Sequence, residues 1–246
     1  MKTPHFYAVI IGSEILNGRR IDKHFLYIRD ALMARGHTLY ASLTIKDDPE
    51  LIRKTFEMIK NDPDAVMFSF GGIGSTPDDL TRQIASEVFS DGVLTPHEKF
   101  RTDIIERFGE EAYPHRIHMA DLPLNAGLLP NCINNMSGFY LEDRYFFMPG
   151  FPEMSHPMVD HILEHFYPKA AVTYRKTLIA QTSENTLIPV MEQLDQTVEF
   201  SSLPMLKDGK PSVEISVASA DPELCTANFE LFVIDLQSKS IPFKIL

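Results

Sequence analysis

The stretch Phe68-Ser69-Phe70-Gly71-Gly72-Ile73-Gly74-Ser75-Thr76-Pro77-Asp78-Asp79-Leu80-Thr81 decides the reading of this chain. An apolar run, Asp64 to Phe70, leads into it, and an amphipathic stretch follows with Leu80, Ile84 and Val88 on one face. That pattern predicts a strand, a glycine-rich turn and a helix start. Such a junction aims several backbone N–H groups and the positive end of a helix at one spot, where anions bind. The adjacent carboxylates of Asp78 and Asp79 would repel an anion. Two unit charges 4 Å apart interact by about 4 kcal/mol at an effective dielectric near 20. A phosphate and this acidic pair therefore share the loop comfortably only with a cation between them. The loop predicts a phosphate-bearing ligand and a divalent metal ion.

Outward from the loop, strand and helix patterns alternate. Phe6 to Ile11 is a continuous apolar run, as for a strand covered on both faces. After Gly12-Ser13-Glu14-Ile15-Leu16-Asn17-Gly18, a helix is predicted from Asp22 to Arg35, with Ile21, Phe25, Ile28 and Leu32 facing the core and Gly36 ending it. Thr38 to Ile45 reads as the second strand. Asp48-Pro49 is an N-cap with proline at the first helical position, opening a helix that carries Leu51, Ile52, Phe56 and Ile59. Thr95-Pro96-His97-Glu98 reads as a capping box before a helix packed through Phe100, Ile104 and Phe108. Short strands at Gly138–Leu141 and Tyr145–Met148 are joined by a tight turn at Asp143-Arg144, and Pro149-Gly150-Phe151-Pro152 leads into a helix from Glu153 to Phe166.

Pro168 to Thr173 reads as a linker. Beyond it the expected order is strand Arg175–Gln181, helix Asn185–Leu194, strand Val198–Leu203, strand Ser212–Ala218, helix Pro222–Leu236 and strand Ile241–Ile245, with Ser183 and Asp221 as caps. That βαββαβ order is a split βαβ unit of ferredoxin-like type. The expected fold is thus α/β: a three-layer α/β/α doubly wound domain with a mostly parallel sheet over residues 1–168, then a small α+β domain over 174–246.

Composition bounds the function. The chain has 246 residues, of which 44% are hydrophobic and 23% charged, as in an ordinary globular protein. Lys+Arg 23 against Asp+Glu 34 gives a net charge of −11. That argues against nucleic-acid binding and against adsorption to anionic membranes. A local basic cluster, Arg19, Arg20 and Lys23, can still receive a small anionic ligand. Cys132 and Cys225 lie far apart, in no metal-ligand spacing. With no signal segment and no apolar run approaching a membrane span, the expected location is cytoplasmic.

Three segments resemble the amino-terminal half of the competence/damage-inducible protein A (CinA) family, a molybdopterin-binding-type domain also used by molybdenum-cofactor biosynthesis proteins. Gly12-Ser13-Glu14-Ile15-Leu16-Asn17-Gly18 with Asp22 is similar to a Gly-Asp-Glu-x-Leu-x-Gly pattern. Gly71 to Thr81 is similar to Gly-Gly-x-Gly-Pro-Thr-x-Asp-Asp-x-Thr, and Met148-Pro149-Gly150-Phe151-Pro152-Glu153-Met154 to Leu-Pro-Gly-x-Pro-x-Glu-Met. The likeness runs over roughly Tyr7 to Phe166, and the second half resembles the small domain that follows in the family. Ser13 stands where the family has Asp, and Ser75 where it has Pro. The family's amidohydrolase domain finds no match in these 246 residues, so deamidation of nicotinamide nucleotides is not expected.

The resulting expectations are specific. Asp78, Asp79 and Glu14 are the candidate catalytic residues, and Asp78 and Asp79 the candidate ligands for Mg²⁺ or Co²⁺. Gly71, Gly72, Gly74, Ser75, Thr76, Thr81, Gly12, Ser13, Gly150, Pro152 and Glu153 are the candidate ligand- and phosphate-binding residues. Asp22 reads equally as a helix cap. The ligand is a phosphorylated small molecule of molybdopterin or adenine-nucleotide type. The alternatives are a metal-dependent pyrophosphatase acting on ADP-ribose-like dinucleotides, adenylyl-transfer chemistry, and a non-catalytic assembly domain. The resemblance implies a homo-oligomer. The pairs His161/His165 and His115/His118 lack a carboxylate partner and predict no zinc site.

Overall fold

The computed structural model describes residues 4–168, 173–207 and 209–246; the predicted linker lies largely outside them. The chain divides into two compact units, residues 1–170 and 171–246.

The first unit runs β1 (His5–Ile11), α1 (Ser13–Leu16), α2 (His24–Met33), β2 (Leu39–Ile45), α3 (Pro49–Lys60), β3 (Ala65–Phe70), α4 (Thr81–Phe89), β4 (Leu94–Pro96), α5 (Glu98–Phe108), β5 (Asp121–Pro123), β6 (Gly127–Leu129), β7 (Gly138–Leu141), β8 (Tyr145–Met148) and α6 (Pro152–His165). Its main sheet has the order β2-β1-β3-β8-β7-β6. The β2-β1-β3-β8 pairings are parallel, and β7 and β6 extend the sheet antiparallel. Because side chains alternate across a strand, β1 feeds two cores. Tyr7, Val9 and Ile11 pack with Ile52, Phe56 and Ile59 of α3, Ile84 and Val88 of α4, and Phe100 and Ile104 of α5. Phe6, Ala8 and Ile10 pack on the other face with Ile28 and Leu32 of α2 and Met158, Val159 and Ile162 of α6. The result is the expected α/β/α sandwich.

Local chemistry explains most element starts. The Asp48 carboxylate accepts from Leu51 N at 2.8 Å, with Pro49 next to it. Asp22 accepts from His24 N at 2.7 Å and Phe25 N at 3.3 Å, and so caps α2. Gly36 closes that helix at φ +79°. Two expectations fail here. Ile21 and Phe25 are exposed, while His24, Ile28 and Leu32 are the buried residues of α2. The predicted capping box at Thr95 is not formed. Thr95 and Pro96 belong to β4, which pairs antiparallel with β5, and α5 is instead capped by His97, whose ring nitrogen accepts from Phe100 N at 3.4 Å. Strand pairing with a distant segment outweighs the local capping signal. Glu142 and Asp143 both adopt φ +53°, which places the β7–β8 turn one residue earlier than expected.

The second unit contains β9 (Tyr174–Ala180), a 3₁₀ turn (Glu184–Leu187), α7 (Ile188–Met191), β10 (Glu199–Lys207), β11 (Lys210–Ser219), α8 (Pro222–Ser238) and β12 (Phe243–Ile245). Its antiparallel sheet has the order β10-β11-β9-β12, the split βαβ order. Phe229, Phe232 and Leu236 of α8 pack on Leu178, Val213, Ile215 and Val217. Asp221 caps α8 as expected, accepting from Glu223 N at 2.8 Å. The predicted helix Asn185–Leu194 is replaced by the 3₁₀ turn and one short α-helical turn. Ser183 makes no cap there; its hydroxyl lies 3.3 Å from Thr186 Oγ1.

Phe147 is fully buried in β8 and stacks on Phe139 at 4.5 Å, with Phe56 at 5.7 Å. Phe147→Ala is expected to destabilise the first unit by about 3–5 kcal/mol through lost burial and a residual cavity, read as a lower urea midpoint with an unchanged slope.

Candidate functional site

Strands β1, β3 and β8 are adjacent and parallel, so the loops leaving them, Gly12–Gly18, Gly71–Leu80 and Pro149–Phe151, emerge on the same edge. In open α/β sheets that edge is where ligands bind. Here it holds a cleft of about 540 Å³, within the range of small-molecule sites.

The cleft's floor is the glycine loop. Gly71 and Gly72 lie at φ +103° and +69°. A Cβ at Gly72 would fall on the Thr81 hydroxyl, and one at Gly71 on the Ile11 carbonyl. The loop's carbonyls are tied down from one side. Thr81 Oγ1 donates to Gly71 O at 3.0 Å, and Thr81 N donates to Gly72 O at 3.0 Å. Arg82 Nη1 donates to both Ile73 O and Gly74 O. In a planar trans peptide the N–H points opposite to the preceding carbonyl. The amides of Gly72, Ile73, Gly74 and Ser75 therefore all turn away from Thr81 and Arg82. Among the described residues none of the four donates to a protein acceptor, and all four residues line the cleft.

Thr81 is fully buried and both its polar groups serve the loop, so it contributes beneath the floor and not in the cleft lining. Arg82, which sequence reasoning missed, is 9% exposed. Burial disfavours its charge, while Asp79 and Asp121 oppose that effect. Asp79 closes the loop's far end: its Oδ2 accepts from Thr76 N at 2.8 Å and from Thr76 Oγ1 at 2.5 Å. The Asp78 carboxyl is exposed and is held below the usual range by hydrogen-bonding groups of its own loop. Among the described residues no three His, Cys, Asp or Glu side chains converge to hold a metal.

The other loops complete the walls. Glu14 lines the cleft, with Arg20 Nη1 3.7 Å from its Oε1. The Arg20 guanidinium also lies 5.6 Å from the Phe151 ring. Gly12 and Ser13 sit just behind: Ser13 N donates to Asp47 Oδ2 at 2.7 Å, which fixes Asp47 in the lining. The sequence marks only its neighbour Asp48, as a helix cap, so Asp47 is a second missed residue; its pairing with Ser13 spans 34 positions. Gly150 lines the cleft, and a Cβ there would lie 3.4 Å from Gly71 Cα. Pro152 and Glu153 fall outside the lining, whereas Phe151 and Met154 are in it. The opposite wall is apolar, formed by Phe100, Phe108, Met119 and Met136, with Arg116 at its rim, 4.6 Å from the Phe108 ring.

Below Gly150 lies buried His24. Its ring stacks on Phe70 at 4.4 Å, with Nε2 3.4 Å from Gly150 O and Nδ1 3.5 Å from Ser155 Oγ. His156 packs edge-on at 5.5 Å. Burial, and secondarily the neighbouring His156, push the His24 pKa down.

A family model described as "Probable molybdopterin binding domain" matches residues 7–169. This chain belongs to that family. A CinA-like protein from Citrifermentans bemidjiense is 33% identical over 161 residues, covering 62% of this chain and 38% of that protein. One from Geotalea uraniireducens is 29% identical over 161 residues, covering 63% and 38%. The chain spans between 38% and 49% of the length of the first curated relatives it matches. Among solved structures, the protein CinA from Thermoplasma acidophilum, described as of unknown function, superposes with a TM-score of 0.59 at 22% identity, covering 67% of this chain and 98% of that one. That likeness shows the fold.

A histidine whose folded pKa lies below its unfolded value near 6.5 is protonated preferentially in the unfolded state. Its stabilising contribution is present above the unfolded pKa and is lost as pH falls below it. The midpoint of thermal unfolding should therefore drop as the pH falls below about 6.5, and His24→Gln should flatten that slope relative to the unaltered chain.

Proposed function

We propose that this chain binds a phosphorylated small molecule, of molybdopterin or adenine-nucleotide type, in the cleft at the ends of β1, β3 and β8. The observation that carries the reading is the run of four amides, Gly72 to Ser75, without protein acceptors and facing away from their buried ties. They form a run of successive loop amides facing the cleft, an arrangement that receives phosphate oxygens. The apolar wall of Phe100, Phe108, Met119 and Met136 suits the planar ring of a pterin or adenine.

Glu14, Asp47, Asp78 and Asp79 line the same cleft. An anionic ligand among them calls for a divalent cation. The donors fit a Mg²⁺ ion held by the exposed carboxylate of Asp78 and completed by phosphate oxygens and water. They do not fit a cage built from protein alone, since Asp79 already serves Thr76. In this reading Asp79 shapes the loop, Asp78 meets the metal, and Arg20 offers a positive charge to the ligand's far end.

One observation favours a second reading, hydrolysis of the pyrophosphate in an ADP-ribose-like dinucleotide. Glu14 lines the cleft without being needed to build the amide array, and a carboxylate there can accept a proton from an attacking water. Binding comes first in either case.

Thermal unfolding with AMP, ADP-ribose or molybdopterin, each with and without Mg²⁺ or Co²⁺, tests the binding. A ligand at about a hundred times its Kd stabilises by about 2.7 kcal/mol, which in a chain of this size is a rise of about 5–10 °C. Asp78→Ala should abolish the metal-dependent part of that rise and leave the rest. No rise with any of the ligands, in either metal condition, contradicts the proposal. Phosphate release under the same conditions separates hydrolysis from binding.

A further inference from the structure

The structure assigns Arg82 as the positioning residue of the amide array, a role that rests on the reading of the cleft as a phosphate site. Its Nη1 donates to two successive carbonyls, Ile73 and Gly74, and so fixes the orientation of the peptide groups that carry the Gly74 and Ser75 amides. Without that donor pair those carbonyls lose their buried partner. Each peptide is then free to rotate and present an oxygen to the cleft, where an anion would be repelled.

The arrangement is costly as pure scaffolding. Arg82 is 9% exposed, is favoured only at a distance by the charges of Asp79 and Asp121, and leaves its Nε without a hydrogen-bond partner among the described residues. A buried cation is destabilising unless its attraction to something offsets the loss of hydration. Directly beneath outward-facing N–H groups, however, the guanidinium adds positive potential to the seat while holding its geometry. A phosphate oxygen bound on the other side of the two peptides would offset the desolvated charge. The first tie, Thr81, secures the carbonyls of Gly71 and Gly72; Arg82 extends the same restraint two peptides further, across the part of the loop that lacks a family proline at Ser75.

The test uses the full chain and inorganic pyrophosphate with Mg²⁺, followed by isothermal titration. Arg82→Met keeps the apolar stem and removes the donors; Arg82→Lys keeps charge and a donor. Loss of a hydrogen-bonded charged group should weaken binding by about tenfold or more in Arg82→Met, with Arg82→Lys recovering most of the affinity. A merely structural role would make the two variants follow their thermal stabilities instead. Should Arg82→Met not fold, amide shifts of Gly74 and Ser75 on pyrophosphate addition are compared between Arg82→Lys and the unaltered chain: a reduced shift in the variant supports the role, an equal one overturns it. If the unaltered chain binds and Arg82→Met binds equally well, the positioning role is wrong while the cleft reading stands. If the unaltered chain does not bind pyrophosphate, both fall.

Discussion

Four peptide groups are held by their oxygens. Thr81 and Arg82, the first two residues of α4, reach back under the preceding turn and take the carbonyls of Gly71, Gly72, Ile73 and Gly74. Peptide planarity does the rest: with the oxygens tied below, the next four N–H groups are turned the other way. The loop's glycines are required by this geometry. Gly71 and Gly72 adopt left-handed backbone angles and pass too close to Ile11 and Thr81 for a side chain. Helix α4 keeps the ties in place because Ile84, Ala85 and Val88 bury its inner face in the main core.

Everything else in the cleft is arranged around that floor. Parallel pairing of β1, β3 and β8 brings three loops to one edge, and Gly150 allows the third loop to approach Gly71 closely. His24 supports Gly150 from the opposite core through its stacking on Phe70, so the two cores meet at the site. The charge pattern is mixed. Donors line the floor, four acids stand around it, and Arg20 and Arg116 stand beyond them.

Much of this was legible in the sequence where the signal is local. The largely apolar runs of β1 and β3, the Asp48-Pro49 cap and the glycine loop each declare themselves within a few residues. What escaped depends on partners far along the chain. Strand β4 exists because Leu94–Pro96 pairs with Asp121–Pro123, and no local pattern outweighed the capping signal at Thr95. Asp47 joins the site through Ser13, and Arg82 looks like an ordinary polar residue in the first turn of an amphipathic helix. Thr81 was read as touching the ligand because it ends the motif; its burial shows that a motif residue can act by shaping the loop instead. The exposed Ile21 and Phe25 mislead for a related reason: α2 turns His24 to the core, and a histidine is rarely taken as the buried position of a helix.

The four backbone amides of the loop can be observed directly. A titration of the isotopically labelled chain with pyrophosphate and Mg²⁺, followed by two-dimensional ¹H–¹⁵N nuclear magnetic resonance, reads each amide separately. The Gly72, Ile73, Gly74 and Ser75 resonances are expected to move together to lower field, as new hydrogen bonds to phosphate oxygens form. Shifts confined to Glu153 and its neighbours, with these four unmoved, would contradict that expectation.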